Sequence, residues 1–276
     1  MPDQPLHLAL WQSPHATPEA GATQALRRLA EAAKRARSQG AHCLVCPEMG
    51  LTGYAIGAES VQALAEPPDG PLARDVAGIA RQHGIAIVYG YPERHPLSGK
   101  KPFNAVQAID EHGHAIGHYR KTHLYGALDH QQFSSGDAPS QAFTYRGWRL
   151  GLLICFDVEF PEPVRMLALQ GVDAVLVPTA NMIDFDEVSE RLVPTRACEN
   201  RVYVAYANAC GAEGAVHYGG KSLVANAFGD VVATAGREEA LLLATLLPDH
   251  LAHARQNNYL PHRRPDLYAA LGTVQK

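Results

Sequence analysis

From Leu150 to Ile154 the chain reads Leu-Gly-Leu-Leu-Ile, with no charged or polar side chain. A strand of that composition needs cover on both faces, which places it inside a sheet flanked by other layers, as in an α/β protein. The next residues, Cys155-Phe156-Asp157-Val158-Glu159-Phe160, turn polar. Pro161-Glu162 then suits a first helical turn, where a missing N–H costs nothing. Cys155 is therefore expected at the carboxyl end of a strand, on the turn into a helix. A thiol there can lie near free backbone N–H groups and a positive helix end, which favour a thiolate and an oxyanion. On this segment alone, a core cysteine closing a strand is the plainer reading.

The remaining composition excludes several function classes. Of the 276 residues 46% are hydrophobic, enough for a substantial core rather than a disordered chain. A formal charge of −4 without runs of like charge argues against nucleic acid or a charged membrane surface as partner and leaves a small molecule. Met1-Pro2-Asp3-Gln4-Pro5 lacks the basic and apolar regions of a signal peptide, and no apolar run approaches the roughly 20 residues of a membrane span, so a cytoplasmic protein is expected. Five cysteines without regular spacing do not make a disulfide framework. Cys43 and Cys46 fall in a strand pattern that points them to opposite faces, and His112 and His114 fall in a turn, so neither pair predicts a metal site.

Read in order, Leu6–Trp11 is a strand, and Thr17 with Pro18 opens a helix that ends before Gly40. Ala41–Cys46 is the next strand, running directly into Pro47-Glu48-Met49. A helix from Gly70-Pro71 to Gly84 leads to the strand Ile85–Gly90, and Phe103–Asp110 with Ala115–Thr122 form a hairpin. Residues 123–140 show no periodicity and are expected to be a long functional loop. Strands 141–145 and 148–155, a helix over 161–170, a strand over 172–178, a helix over 187–200 interrupted at Pro194 and a strand over 202–209 follow. Three strands expected to be antiparallel, 221–227, 231–234 and 240–246, end the pattern. No linker divides the chain, so a single domain over 1–276 is expected, with 248–276 as a C-terminal extension packing on the domain or on a dimer partner.

Glu48, Lys121 and Cys155 each follow directly on a strand, a placement that gathers them at one rim of a sheet. Taken singly, Glu48 reads equally as a loop carboxylate and Lys121 as a solvated strand-end lysine. Together they suffice for acyl transfer: the carboxylate takes the thiol proton, the ammonium stabilises the oxyanion and the thiolate attacks a carbonyl.

Three blocks carry a resemblance: Pro47-Glu48-Met49 with Thr52-Gly53-Tyr54; Tyr119-Arg120-Lys121-Thr122-His123; and Gly151-Leu152-Leu153-Ile154-Cys155-Phe156-Asp157 with Phe160-Pro161-Glu162. Over nearly its whole length the chain resembles the nitrilase superfamily of carbon-nitrogen hydrolases. The resemblance implies an α/β fold, a four-layer α-β-β-α sandwich dimerising through a helical face, and a Glu-Lys-Cys triad at Glu48, Lys121 and Cys155. It also implies that Lys121 and the Phe156 N–H hold the oxyanion, and that no cofactor or metal takes part. Many relatives place a second glutamate between the lysine and the cysteine; this chain has Asp129 there, which is expected to support the site. The surroundings of Asp129, with Tyr89-Gly90-Tyr91-Pro92-Glu93-Arg94, Val177-Pro178-Thr179-Ala180-Asn181-Met182 and Tyr206-Ala207-Asn208, look like the aliphatic amidases related to 5-aminopentanamidase. The substrate pocket is expected around Tyr54, Phe133, Asp157, Glu159 and Asn181, with Asp184 and Asp186 on an acidic rim. The implied reaction is hydrolysis of a short linear primary amide, with 5-aminopentanamide the best single substrate. An N-carbamoyl amine or a nitrile is the alternative substrate, a catalytically silent binding subunit the alternative function, and a thiol protease pairing Cys155 with His123 a further one.

Overall fold

Two six-stranded mixed sheets lie face to face between outer helices in the computed structural model, which describes residues 2–16, 21–268 and Ala270. The first sheet is built by β1 (Leu6–Gln12), α1 (Gly21–Ser38), β2 (Cys43–Val45), α2 (Ala58–Leu64), α3 (Pro71–His83), β3 (Ala86–Glu93), β4 (Phe103–Ile109) and β5 (Ala115–Arg120). After α4 (Gly126–Gln132) the second is built by β6 (Phe143–Tyr145), β7 (Trp148–Leu152), α5 (Pro161–Leu169), β8 (Ala174–Thr179), α6 (Val193–Asn200) and β9 (Tyr203–Asn208). A separate hairpin, β10 (Cys210–Glu213) and β11 (Val216–Gly219), precedes β12 (Leu223–Ala225) and β13 (Val231–Thr234). β14 (Ala240–Leu246) then returns to the first sheet, and α7 (Pro248–Arg255) follows.

The strand orders are β14-β1-β2-β3-β4-β5 and β13-β12-β9-β8-β7-β6. In each sheet three central strands run parallel, β1-β2-β3 and β7-β8-β9, and their neighbours are antiparallel. Alternation along each strand divides its side chains between layers. Leu6, Leu8 and Leu10 of β1 face the second sheet, where they meet residues such as Leu150, Leu152, Val175 and Val177. Ala9 and Trp11 face α1 and α3, against Leu29, Ala33, Val76 and Ala80. Cys43 and Cys46 likewise fall into different cores, as the strand reading of their spacing predicts.

Several boundaries differ from the sequence reading. β7 ends at Leu152: Leu153 still donates its N–H to Leu176 O, but the Ile154 N–H is taken by the Asp157 side chain, so pairing stops before Cys155. The stretch 123–140 is not all loop, because α4 lies within it and carries Asp129 on its buried side. The helix expected over 187–200 is two elements, a π turn over Val188–Leu192 and then α6, with Pro194 in the first turn of α6 where its missing donor is harmless. The β10–β11 hairpin and α2 were not foreseen. Thr17 and Pro18 lie outside the described residues, as do Ala269 and residues 271–276. Of the C-terminal segment, α7 buries Leu251 and Ala254 in the inter-sheet core, and Arg255 bonds Asp173 Oδ1 at 2.8 Å and Val172 O at 2.6 Å. Among the described residues no helix is long and apolar enough to cross a membrane.

One glycine has a direct consequence for the loop after β2. A methyl group on Gly90 of β3 would lie 2.7 Å from Met49 N and 3.2 Å from Glu48 Cα, both rigid backbone atoms. Gly90→Ala is expected to destabilise the fold by about 1–3 kcal/mol through overpacking, read as a lower denaturation midpoint, and to displace Glu48. An unchanged midpoint would show that the Glu48 loop is free to move away.

Candidate active site

Because β4 is antiparallel to both β3 and β5, β5 runs in the same direction as β2, and the two strands release Glu48 and Lys121 at the same edge of their sheet. Glu48 is also tied to the other sheet, its N–H donating to Thr179 O at the end of β8 (3.3 Å). Both side chains are fully buried, as is Asp129.

Lys121 Nζ donates to Glu48 Oε1 (2.8 Å) and to Asp129 Oδ2 (2.7 Å). Glu48 Oε1 also accepts from Asn104 Nδ2 at 2.6 Å, whereas Oε2 is buried without a hydrogen-bond partner among the described residues. Asp129 is held by the Tyr54 hydroxyl (2.7 Å, to Oδ1) and by the Tyr125 N–H (2.9 Å, to Oδ2). Burial would lower the Lys121 pKa, but Glu48, Tyr54, Cys155 and Asp129 around it override that and hold the ammonium well above the ordinary lysine range. For Glu48 burial outweighs the attraction of Lys121 and raises the carboxyl.

Cys155 adjoins this cluster and is only 8% exposed. Its φ of 46° is left-handed, a conformation a β-substituted residue holds only when its surroundings impose it. Burial first and the Glu48 carboxylate second push its thiol well above the ordinary range; Lys121 and a backbone hydrogen bond involving Ala180 oppose them without prevailing. The resting group is therefore a thiol, and a base must take its proton during attack. Phe156 lies in the first turn of the 3-10 segment Cys155–Glu159, where N–H groups lack intrahelical acceptors. Its ring meets Tyr125 edge-on (5.3 Å), and Tyr125 meets Phe185 in the same way (5.9 Å), an aromatic wall beside the thiol.

The expected pocket residues divide. Tyr54 spends its hydroxyl on Asp129, and Phe133 is buried with Met49, Tyr54 and Ala180. Asn181 is braced, its Nδ2 on Phe185 O (3.0 Å) and its N–H on Asn208 Oδ1 (2.7 Å). Glu159 is half-buried, and its carboxylate takes no hydrogen bond from any described residue. Burial, then Glu187, push it up to about 7, against Lys121 and Arg196. Asp157 is not a pocket wall: it is fully buried, and both its oxygens are committed to hydrogen bonds within the protein. Asp186 does not belong to a free acidic rim either, being paired with Lys221 and Arg237 at 2.6 Å each; Asp184 is exposed.

Sequence reasoning missed Asn104, although a polar residue inside the apolar strand Phe103–Ile109 is a signal for a buried partner. It also missed His15, whose Nε2 donates to Glu48 O at 2.8 Å from a loop with no pattern to betray it. Among the described residues His123 makes no hydrogen bond to Cys155; its Nδ1 bonds Asp157 and its ring stacks on Phe160. Nor is there, among these residues, a group of three His, Cys, Asp or Glu able to hold a metal ion.

Residues 7–256 match the pattern of the carbon-nitrogen hydrolases. The chain is 47% identical over 264 residues to a protein described as a hydrolase in the pqqF 5' region of Pseudomonas protegens, covering 95% of this chain and 90% of the relative. It is 37% identical over 224 residues to an (R)-stereoselective amidase of a Pseudomonas species, covering 80% and 79%. Among solved structures, a mutant of the amidase from Nesterenkonia sp. AN1 superposes with a TM-score of 0.83 at 34% identity, over 96% of both chains; it carries the acetamide moiety of fluoroacetamide on its active-site cysteine.

The electrostatics around Cys155 make a direct prediction. Its alkylation by iodoacetamide should keep accelerating above about pH 9, where an ordinary thiol of pKa about 8.5 levels off. Glu48→Gln, by removing the charge that opposes ionisation, should move that profile to lower pH. A wild-type plateau below about pH 8 would mean a preformed thiolate.

Proposed function

The chain belongs to the carbon-nitrogen hydrolase family, and from that premise we propose that it hydrolyses short linear primary amides to a carboxylate and ammonia through a thioester on Cys155. The observation that most supports this reading is the buried Lys121 ammonium bonded to both Glu48 and Asp129, with Cys155 beside it. Cys155 Sγ attacks the amide carbonyl carbon as Glu48 accepts the thiol proton. The oxyanion is held by Lys121 Nζ and the Phe156 N–H. Collapse breaks the C–N bond, and Glu48 returns its proton to the departing nitrogen, which leaves as ammonia. Glu48 then takes a proton from water as the water oxygen attacks the thioester; collapse breaks the C–S bond, releases the acid and leaves Glu48 to return the proton to the Cys155 sulfur. Asp129 keeps Lys121 charged and in place through all of these steps. The relatives include amidases, and the covalent adduct on the Nesterenkonia cysteine is consistent with a thiol nucleophile.

For the substrate we favour an amide with a distal amine, 5-aminopentanamide being the single best case. Glu159 is the acid best suited to the ammonium, since it stands by Lys121, Tyr125 and Tyr206 with no hydrogen bond to its carboxylate among the described residues, whereas Asp157 and Asp186 are already engaged. The whole chain would act as one domain, in the cytoplasm, as a homodimer meeting through the helical face where Met166 and Leu169 of α5 stand exposed.

Cys155→Ala should fold and release no ammonia. Glu48→Gln should lose on the order of 10²-fold or more in turnover, and activity near wild type in either variant would sink the mechanism. Asp129→Asn should lower kcat while Cys155 still forms a covalent adduct with fluoroacetamide; full activity would reduce Asp129 to a bystander.

The substrate assignment is tested by kcat/KM for 5-aminopentanamide against pentanamide and N-carbamoylputrescine. A tenfold preference for either competitor, about 1.4 kcal/mol, counts against it. With Glu159 titrating at about 7, KM for 5-aminopentanamide should rise as the pH falls through that value and the carboxylate is neutralised, while KM for pentanamide stays level. Glu159→Gln should abolish the difference.

A further inference from the structure

Asp157 is a buried carboxylate left out of the chemistry above, and its hydrogen bonds reach the immediate neighbours of two residues that take part. Oδ2 accepts the N–H of Ile154 (3.1 Å), the residue before Cys155. Oδ1 accepts the Thr122 hydroxyl (3.1 Å), the His123 N–H (3.0 Å) and His123 Nδ1–H (2.8 Å), from the two residues that follow Lys121. The Asp157 N–H closes the turn from the other side, on Ile154 O at 3.0 Å. The outer arms are braced in turn: the Tyr119 hydroxyl lies 2.8 Å from Thr122 Oγ1, and the His123 ring stacks on Phe160 at 4.3 Å.

We propose that Asp157 is a positioning residue for the reaction, a single buried carboxylate that fastens the turn carrying Cys155 to the strand end carrying Lys121. The proposal rests on reading Cys155 as the nucleophile and Lys121 as the oxyanion donor. The two belong to different sheets, β7 having ended at Leu152 and β5 at Arg120, so no strand ladder fixes one relative to the other. Cys155 also holds a left-handed backbone that needs outside support, and the Ile154 N–H bonded to Asp157 is the peptide group just before it. The chemistry of the donor set calls for a carboxylate. Four donors converge on two oxygens, so an amide in either orientation would set an N–H against another donor. Sequence position alone suggested a pocket role for Asp157, because the residue stands two places after the thiol.

Asp157→Asn keeps the shape and tests the idea. The expected result is a folded protein whose kcat falls on the order of 10²-fold, the usual cost of displacing a reacting group by about 1 Å, with KM changed by less than about twofold. In parallel, the pH profile of Cys155 alkylation by iodoacetamide should move to higher pH, because Lys121 no longer steadies the thiolate. A lower melting temperature with wild-type kcat and an unmoved alkylation profile would leave Asp157 a stabilising residue only and overturn the proposal. If Asp157→Asn does not fold, Thr122→Val decides. It removes one of the four donors, and kcat should fall about 3- to 10-fold at unchanged KM, the worth of one hydrogen bond; wild-type kcat would overturn the proposal. Turnover surviving in Cys155→Ala would defeat the functional reading instead, and the alkylation profile, which needs no amide substrate, would still judge the clamp.

Discussion

One ammonium group buried between two carboxylates is the constraint on which the rest of this structure depends. Lys121 is fully enclosed, and an enclosed cation is tolerable only with anions in hydrogen-bond contact; Glu48 and Asp129 supply them at 2.8 and 2.7 Å. Removing the ammonium from such a group would leave uncompensated buried charge, at a cost of about 3–5 kcal/mol. The three residues must therefore arrive together, from β2, from β5 and from a helix that the loop between the sheets folds in order to present Asp129. Burial first, and then the excess of negative charge that two acids leave against one base, keep the neighbouring thiol protonated and raise Glu48. The protons that acyl transfer has to move are thus held in place by the same electrostatics that hold the cluster.

The two sheets hold these groups with little freedom. Each carries three parallel central strands whose carboxyl ends gather at one rim, and β14 and the β10–β11 hairpin lock the arrangement from outside. Glu213 at the end of β10 accepts the N–H groups of Tyr54 and Ala55 and the hydroxyl of Tyr218, so the hairpin steadies the loop whose Tyr54 hydroxyl in turn holds Asp129. His15, buried and kept neutral by desolvation ahead of its attraction to Glu213, donates to the Glu48 carbonyl. The support behind each reacting group is thus a hydrogen bond from a segment distant in sequence. Such precision is what hydrogen-bonded preorganisation of a site requires.

Asp157 plays the corresponding part for the thiol. The chain leaves β7 two residues before Cys155, and the backbone there is strained, so the position of the sulfur is set by the turn rather than by the strand. Glu159, two residues further on, has no such commitment among the described residues. That contrast separates a carboxylate occupied in holding the protein together from one free to meet a ligand.

Much was determined by local sequence. The uncharged run from Leu150 to Ile154, the period-two alternation of Leu6–Trp11 and the Pro and Gly punctuation around Pro71–His83 specify layers and element types, because burial and turn chemistry act over a few residues. The ordering of Glu48, Lys121 and Cys155 after strands was likewise visible. What tertiary structure alone decided is how the polar side chains were spent. Asp157, Glu159 and Asp186 are alike as acids near the site in sequence, yet the first is consumed by backbone and side-chain donors and the last by Lys221 and Arg237, while the Glu159 carboxylate takes no hydrogen bond among the described residues. The ionisation state of Cys155 was not legible locally, since it depends on burial and on a carboxylate more than a hundred positions earlier in the chain. Hydrogen-bond partners and desolvation come from contacts made across the fold, and no local pattern of residues encodes them.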